Sequence, residues 1–176
     1  DFRIVWRPDN ELTVEPFVSL HTEQRGNGTV LSRNASEALD LSIRVTRNTP
    51  SVIWQGLAYY QSREFEALFA KVAADRSREV PALDQFDVPG EGMGGGFTAA
   101  LSPAEGMKVV LGADLRRLRG ETNELAGFVD GAFLRQRRAG GEQLIGGVFL
   151  RGTHEGVATG LSLAGSARID YWAFSD

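Results

Sequence analysis

The residue types that carry out chemistry are few in this 176-residue sequence, and they do not cluster. His21 and His154 are the only histidines, and neither has carboxylates beside it at the spacing of a metal site. The sequence contains no cysteine, which rules out disulfides and thiolate ligands. It also lacks a nucleophile-elbow motif and a paired-acid motif. We therefore predict no catalytic, metal-binding or cofactor-binding residues, and a protein that is not an enzyme.

One glycine motif formally matches the dinucleotide-binding pattern GxGxxG. It consists of Gly90, Gly92 and Gly95 in the segment GEGMGG. A dinucleotide site needs a strand before these glycines and a helix after them. Here residues 77–94, with two prolines and several glycines, predict a long loop, and an alternating strand pattern follows. We interpret these glycines as loop and strand residues.

A basic run at 135–138 concentrates positive charge in the sequence. Arg135, Arg137 and Arg138 are expected in a loop, where their guanidinium groups could bind an anionic ligand through charge-assisted hydrogen bonds. A solvated loop, or contacts to anionic lipopolysaccharide, is the simpler explanation of such a run. The chain as a whole has a net charge of -4 and a pI near 5.3, which argues against nucleic acid as a partner.

The elements that would position these residues are predicted from alternation of apolar and polar residues. Side chains of a strand point to opposite faces in turn, so alternation indicates a strand with one apolar face. Residues 107–116 are the clearest example, with Met107, Val109, Leu111, Ala113 and Leu115 on one face and Lys108, Gly112, Asp114 and Arg116 on the other. Similar patterns at 2–6, 12–21, 39–46, 52–61, 93–101, 143–151 and 158–174 predict about eight strands.

Two segments are less clear. Residues 63–76 carry an apolar stripe that also fits a short helix, so strand and helix are both open there. Residues 123–141 show only a weaker pair of strand ends, around Phe128 and Phe133. The apolar run at 109–113 is ended by Asp114, and no apolar run is long enough for a transmembrane helix.

The predicted connections alternate in length. They are short at 8–10, 48–50, 102–106 and 152–156, and long around 25–35, 77–94 and 123–141. Short turns at one rim and long loops at the other are typical of transmembrane β-barrels in outer membranes. Aromatic residues near strand ends would suit the interfacial girdles of such barrels: Trp6, Trp54, Tyr171, Trp172 and Phe174.

These patterns together predict an all-β chain: an antiparallel up-and-down meander of about eight strands, part of a transmembrane β-barrel. The face of Leu39, Leu41, Ile43 and Val45 would meet lipid. The residues predicted to face the lumen are Asp40, Arg44, Asp114, Arg116, Arg168 and Asp170. Alternating strands also occur in soluble sandwiches and in lipocalin-type barrels, where the apolar face would point inward.

Four segments resemble a known family. They are EPFVSLHTEQRGNGTVLSRN at 15–34, ALDQFDVPGEGMGGG at 82–96, LGADLRRLRGETNE at 111–124 and RIDYWAFSD at 168–176. Together they resemble the barrel region of TonB-dependent outer-membrane receptors of Gram-negative bacteria. The resemblance runs along nearly the whole chain.

This resemblance implies a location in the bacterial outer membrane and a receptor that takes up ferric siderophores or similar scarce small-molecule ligands. The partners it implies are outer-membrane lipid, and TonB acting through a plug domain. Residues 1–176 would form a single, incomplete barrel segment, because the plug domain and the remaining strands of the family's 22-stranded barrel are absent. Two alternatives stay open: a complete small outer-membrane barrel with a structural or adhesive role, and a soluble lipocalin-like barrel.

Overall fold

The computed structural model describes residues 1–156 and 160–175, and all regular structure within them is β-strand. The strands are β1 (Phe2–Arg3), β2 (Leu12–Gly26), β3 (Arg33–Asn48), β4 (Val52–Val72), β5 (Glu79–Ala104), β6 (Met107–Val129), β7 (Ala132–Gly156) and β8 (Leu161–Ser175). They form one sheet in the order β1 to β8, with every neighbouring pair antiparallel. The predicted all-β antiparallel meander of eight strands is confirmed.

Several strands extend much further than the sequence patterns predicted. Residues 63–76 continue β4 to Val72, so the alternative of a helix is wrong. The predicted long loop at 77–94 is also wrong, because β5 begins at Glu79 and includes the glycine motif. Residues 123–141 form the paired ends of β6 and β7 around a two-residue turn at Asp130 and Gly131, so the long connection predicted there is wrong as well. Both turn residues have positive φ, as a tight hairpin of this kind requires.

The last connection lies slightly beyond its predicted position. The predicted turn at 152–156 belongs to β7, which ends at Gly156. β8 begins at Leu161 and pairs that residue with Gly156. Ala158, the predicted start of the last strand, lies outside the described residues.

The connections define two rims. We call the rim with residues 7–11, 49–51 and 105–106 the lower rim, and the rim with residues 27–32, 73–78 and 130–131 the upper rim. At the upper rim, β4 and β5 extend beyond the end of β3, which pairs with β4 only as far as Leu68, and the β6–β7 hairpin extends with them beside β5. The two rims therefore differ mainly through strand overhang, and only partly through loop length.

Among the described residues, the sheet has no second layer and no apolar core. No large side chain among the described residues is fully buried. The residues that are buried there are all small or polar: Ala67, Gly92, Ala99, Gly112, Asn123 and Gly146. The accessible surface is 12366 Å², whereas a folded globular protein of this mass exposes roughly 8,400 Å². Both faces of the sheet are thus open.

The described residues include no helix that is both long and apolar enough to cross a membrane.

The sheet is also open at its two edges. β1 pairs with β2 at only two positions, with one further bridge between Trp6 and Val14. β8 pairs with β7 on one side, and no described strand pairs with its other side. Within the described residues the eight strands therefore do not close into a barrel.

Candidate functional site

One face of the sheet is apolar across seven neighbouring strands. In antiparallel pairs, directly opposite residues share a face, so the register groups side chains into rows. One such row contains Val14, Val45, Gly56, Phe97, Ala113, Val148 and Ile169, and the next contains Pro16, Ile43, Ala58, Gly95, Leu115, Gly146 and Tyr171. We call this surface the apolar face; Ile169 on it is 73% exposed. Exposed apolar surface of this extent marks an interaction with lipid or with another protein.

The opposite face of the same part of the sheet, which we call the polar face, carries ion pairs. Arg168 donates to Asp114 at 2.9 Å and to Asp170 at 2.6 Å. Asp40 accepts from Arg63 at 2.7 Å and from Gln61 at 2.6 Å. All six side chains retain contact with solvent. This arrangement suits the wall of a water-containing lumen.

Several polar-face glycines are covered by large side chains of neighbouring strands. A Cβ built on Gly94 would lie 2.7 Å from the Tyr59 hydroxyl, and one on Gly112 would collide with the Phe149 ring. A Cβ on Gly147 would collide with Arg168 and Asp170. The large side chains thus lie flat along the sheet instead of projecting away from it, which keeps the space above the polar face open.

Closer to the upper rim, the same side of the sheet carries polar side chains in place of apolar ones. Glu91 accepts a hydrogen bond from the Tyr60 hydroxyl at 3.1 Å, and Arg117 Nε donates to Glu142 at 2.6 Å. Further up, Arg138 contacts Glu121 at 2.5 Å, and the Arg138 guanidinium, together with the Asn123 amide, holds the pKa of Glu121 below its ordinary value. The apolar part of this side of the sheet, which we call the apolar band, therefore ends at a defined boundary towards the upper rim.

The aromatic residues predicted as girdles divide between the faces. Trp54 and Tyr171 lie on the apolar face near the lower and upper ends of their strands. Trp172 and Phe174 lie on the polar face, with their ring centroids 5.3 Å apart. They pack against each other and not on the apolar surface.

The three arginines of the basic run lie on β7 and not in the predicted loop. Arg137 pairs with Glu124 at 2.7 Å on the polar side, whereas Arg138 pairs with Glu121 on the opposite side. Arg135 is on the same side as Arg137 and forms no ion pair with any described residue. The structure therefore separates the cluster, and only Arg135 has its charge uncompensated by a direct contact.

Glu79 is a residue that the sequence patterns missed. Its carboxylate accepts hydrogen bonds from the backbone of Val30 at 3.1 Å and of Leu31 at 3.0 Å, which ties the loop 27–32 to the start of β5. The Thr29 hydroxyl, followed by these backbone groups, lowers the pKa of Glu79. A lone glutamate within a predicted loop carries no periodic signal, and its partner is 48 residues away in the chain.

We expect the loop 27–32 to loosen when Glu79 loses its charge. Since the folded-state pKa of Glu79 is lowered from 4.5, its contribution is present above that value and is lost as the pH falls below it. Glu79→Ala should increase amide hydrogen exchange at Val30 and Leu31 at neutral pH. The unsubstituted protein should show the same relative increase only in acid. Glu105→Ala, at the exposed lower rim, is the control, and equal protection in both variants would contradict the assignment.

The remaining candidate residues are not brought together. His21 lies on β2 and His154 on β7, and the described residues include no group of His, Asp or Glu side chains that could hold a metal ion. Gly90, Gly92 and Gly95 are within β5, with strands β4 and β6 on either side and no helix after them. This geometry offers no phosphate-binding loop.

Comparisons with protein-family models, with curated proteins and with solved structures find no match to this chain. The geometry of the two faces therefore carries the functional argument.

Proposed function

We propose that this chain is part of the barrel wall of a TonB-dependent receptor in the bacterial outer membrane, which takes up ferric siderophores or similar scarce ligands. The apolar face contacts lipid, and the polar face lines the lumen. The observation that carries the proposal is the continuous apolar face of a sheet without a core, set opposite a face of ion pairs.

The dimensions of the apolar face support a position in a bilayer. Its stretch on β4 runs from Val52 to Tyr60, close to the roughly 9–11 residues that a tilted strand needs to cross the hydrocarbon layer. The membrane-spanning part of each strand is the part that contributes to this band. The overhanging hairpins β4–β5 and β6–β7 then project from the upper rim into the extracellular space.

Two alternative kinds of barrel differ from this proposal in which face is enclosed or in how the edge strands pair. A soluble lipocalin-like barrel would enclose the apolar face, and the ion pairs of Arg168 and Asp40 would lie outside. A complete small outer-membrane barrel would need β1 and β8 to pair. The unpaired edges favour the receptor segment over the small barrel.

The deciding experiment is a cysteine scan of β3 in the full-length protein, in isolated outer membranes. This chain has no cysteine of its own to interfere. Leu41→Cys and Ile43→Cys should resist a charged maleimide, because the reagent does not enter the hydrocarbon layer and a thiol there is not ionised. Ser42→Cys and Arg44→Cys, on the polar face, should react with it readily. The reverse result, with the charged reagent favouring Leu41→Cys, would mean that the apolar face is not in lipid.

For the ligand, we predict that replacing Arg135, Arg137 and Arg138 together with Gln weakens uptake. A charge-assisted hydrogen bond contributes about 1.5–3 kcal/mol, so the half-saturating concentration of a ferric siderophore should rise roughly tenfold or more. Arg135→Gln alone should account for most of the change, because its charge is unpaired. Arg138→Gln is the matched control, because Arg138 is on the opposite side of β7 from Arg135 and is paired with Glu121. Unchanged uptake in the triple variant would refute a ligand contact.

A further inference from the structure

The loop between β2 and β3 contains an asparagine directly followed by a glycine, Asn27 and Gly28, a pair that occurs nowhere else in the sequence. Both residues are exposed. Gly28 has a φ of +83°, and a Cβ built on it would meet nothing within 4 Å, so the space around its backbone is open. No described residue forms a hydrogen bond with the Asn27 side chain or with the Gly28 N–H. Both groups are therefore accessible and unengaged.

The other asparagines precede an amide that is already bonded. They are Asn10, Asn34, Asn48 and Asn123. The amide that follows Asn10 donates to Asp9 Oδ1 at 2.8 Å, and the amide that follows Asn48 donates to the Val52 carbonyl at 2.9 Å. The remaining two asparagines lie inside β3 and β6, which have a neighbouring strand on both sides. Asn27 thus differs from them in the amide beside it.

We propose that Asn27 is a site of spontaneous deamidation, in which the Gly28 backbone nitrogen attacks the Asn27 side chain. Asparagine is among the thermally labile residue types. The following residue is a glycine, so no side chain hinders the approach of its nitrogen. The inference does not rest on the proposed function, because both residues lie in a loop, outside the apolar and polar faces.

The reaction needs only water as a co-reactant. The Gly28 nitrogen loses its proton to water or hydroxide and forms a bond to Asn27 Cγ, which closes a succinimide ring. The bond between Cγ and Nδ2 breaks, and Nδ2 takes up a proton from water and leaves as ammonia. A water molecule then opens the ring. Opening at Cγ gives aspartate, and opening at the backbone carbonyl gives isoaspartate, whose main chain continues through Cβ and Cγ.

The products change the loop in charge and in length. Both of them add a carboxylate at the upper rim, in the loop that the Glu79 carboxylate holds through Val30 and Leu31. Isoaspartate also adds one backbone carbon inside a loop that is closed by the bond from Asn27 N to the Ser32 carbonyl at 2.7 Å. The ammonia is lost, so the modified loop accumulates as the molecule ages.

The test is peptide mass spectrometry on the full-length protein in outer membranes, after incubation at mildly alkaline pH. Trypsin cuts after Arg25 and Arg33, and the peptide 26–33 has Asn27 as its only asparagine. We expect this peptide to gain about 1 Da with time, the mass change from amide to acid. Part of the product should resist the protease Asp-N, as isoaspartate does. Asn34, in the adjoining peptide 34–44, should stay unchanged, and digestion in heavy-oxygen water marks any conversion that occurs during digestion.

Gly28→Ala should slow the conversion roughly tenfold or more, because its methyl group hinders the attacking nitrogen. An equal rate in this variant would mean direct hydrolysis of the side-chain amide and would overturn the mechanism. If Asn27 stays intact in the membranes but converts in the released peptide, the folded loop protects it and the proposal is wrong. Equal conversion at Asn34 would also overturn it, since the reaction would then report unfolded chains and not this loop.

Discussion

Val45→Arg should destabilise the full-length protein in a bilayer by about 2–4 kcal/mol, the cost of an arginine facing lipid at the midplane of an outer-membrane barrel. Val45 is opposite Val14 on one side and Gly56 on the other, and Gly56 is midway along the apolar stretch of β4 from Val52 to Tyr60. The free energy of unfolding can be measured by guanidinium titration in phospholipid vesicles, with tryptophan fluorescence as the signal.

Thr46→Arg is the matched control for this substitution. Thr46 is the next residue of β3 and points to the polar face, where it accepts a hydrogen bond from Gln55 at 3.3 Å. An arginine there would reach the water of the lumen, so we expect a change below about 1 kcal/mol. Equal losses for the two variants would contradict a lipid-facing side for the apolar surface.

Gly112→Leu should be the second most damaging change, at about 1–3 kcal/mol, the usual cost of forcing extra volume into a packed site. A Cβ at this position would collide with the Phe149 ring and lie 2.7 Å from the backbone oxygen of Phe97. The ring could rotate away, but the backbone of β5 is fixed by its strand pairing. The same titration in vesicles measures the loss.

Two further variants separate the ring contact from the backbone contact. Gly112→Leu combined with Phe149→Ala should recover part of the stability and no more, because the contact with Phe97 persists. Gly56→Leu is the control, since a Cβ at Gly56 meets nothing within 4 Å. Full recovery in the double variant would mean that the ring alone requires the glycine.

Strand identity could be predicted from the sequence because one face of each strand is chemically uniform within the apolar band. Leu39, Leu41, Ile43 and Val45 all lie on the apolar face, and the predicted polar residues Asp40, Asp114, Arg168 and Asp170 all lie opposite. The alternation of apolar and polar residues is lost between the apolar band and the upper rim. There both faces of β4 to β7 carry polar side chains, so residues 63–72, 79–92, 119–129 and 132–142 form strands without alternation.

Side-chain pairing was the other property that the sequence patterns could not supply. Arg135, Arg137 and Arg138 read as one cluster in the sequence, but the alternation of a strand places Arg138 opposite the other two. The neutralising partners Glu121 and Glu124 come from β6. Their positions depend on the register of the β6–β7 hairpin, which the turn at Asp130 and Gly131 sets.

The absence of a core has a consequence for how the chain folds. A globular domain collapses in water because its apolar side chains can bury one another. The apolar face of this sheet has no partner layer among the described residues. A collapse in water therefore cannot bury these side chains in the arrangement that they have in the folded sheet. In the proposed setting the hydrocarbon layer supplies that partner, and strand pairing and entry into the membrane become a single event. Before that event the chain has to be kept from aggregating through the same strands.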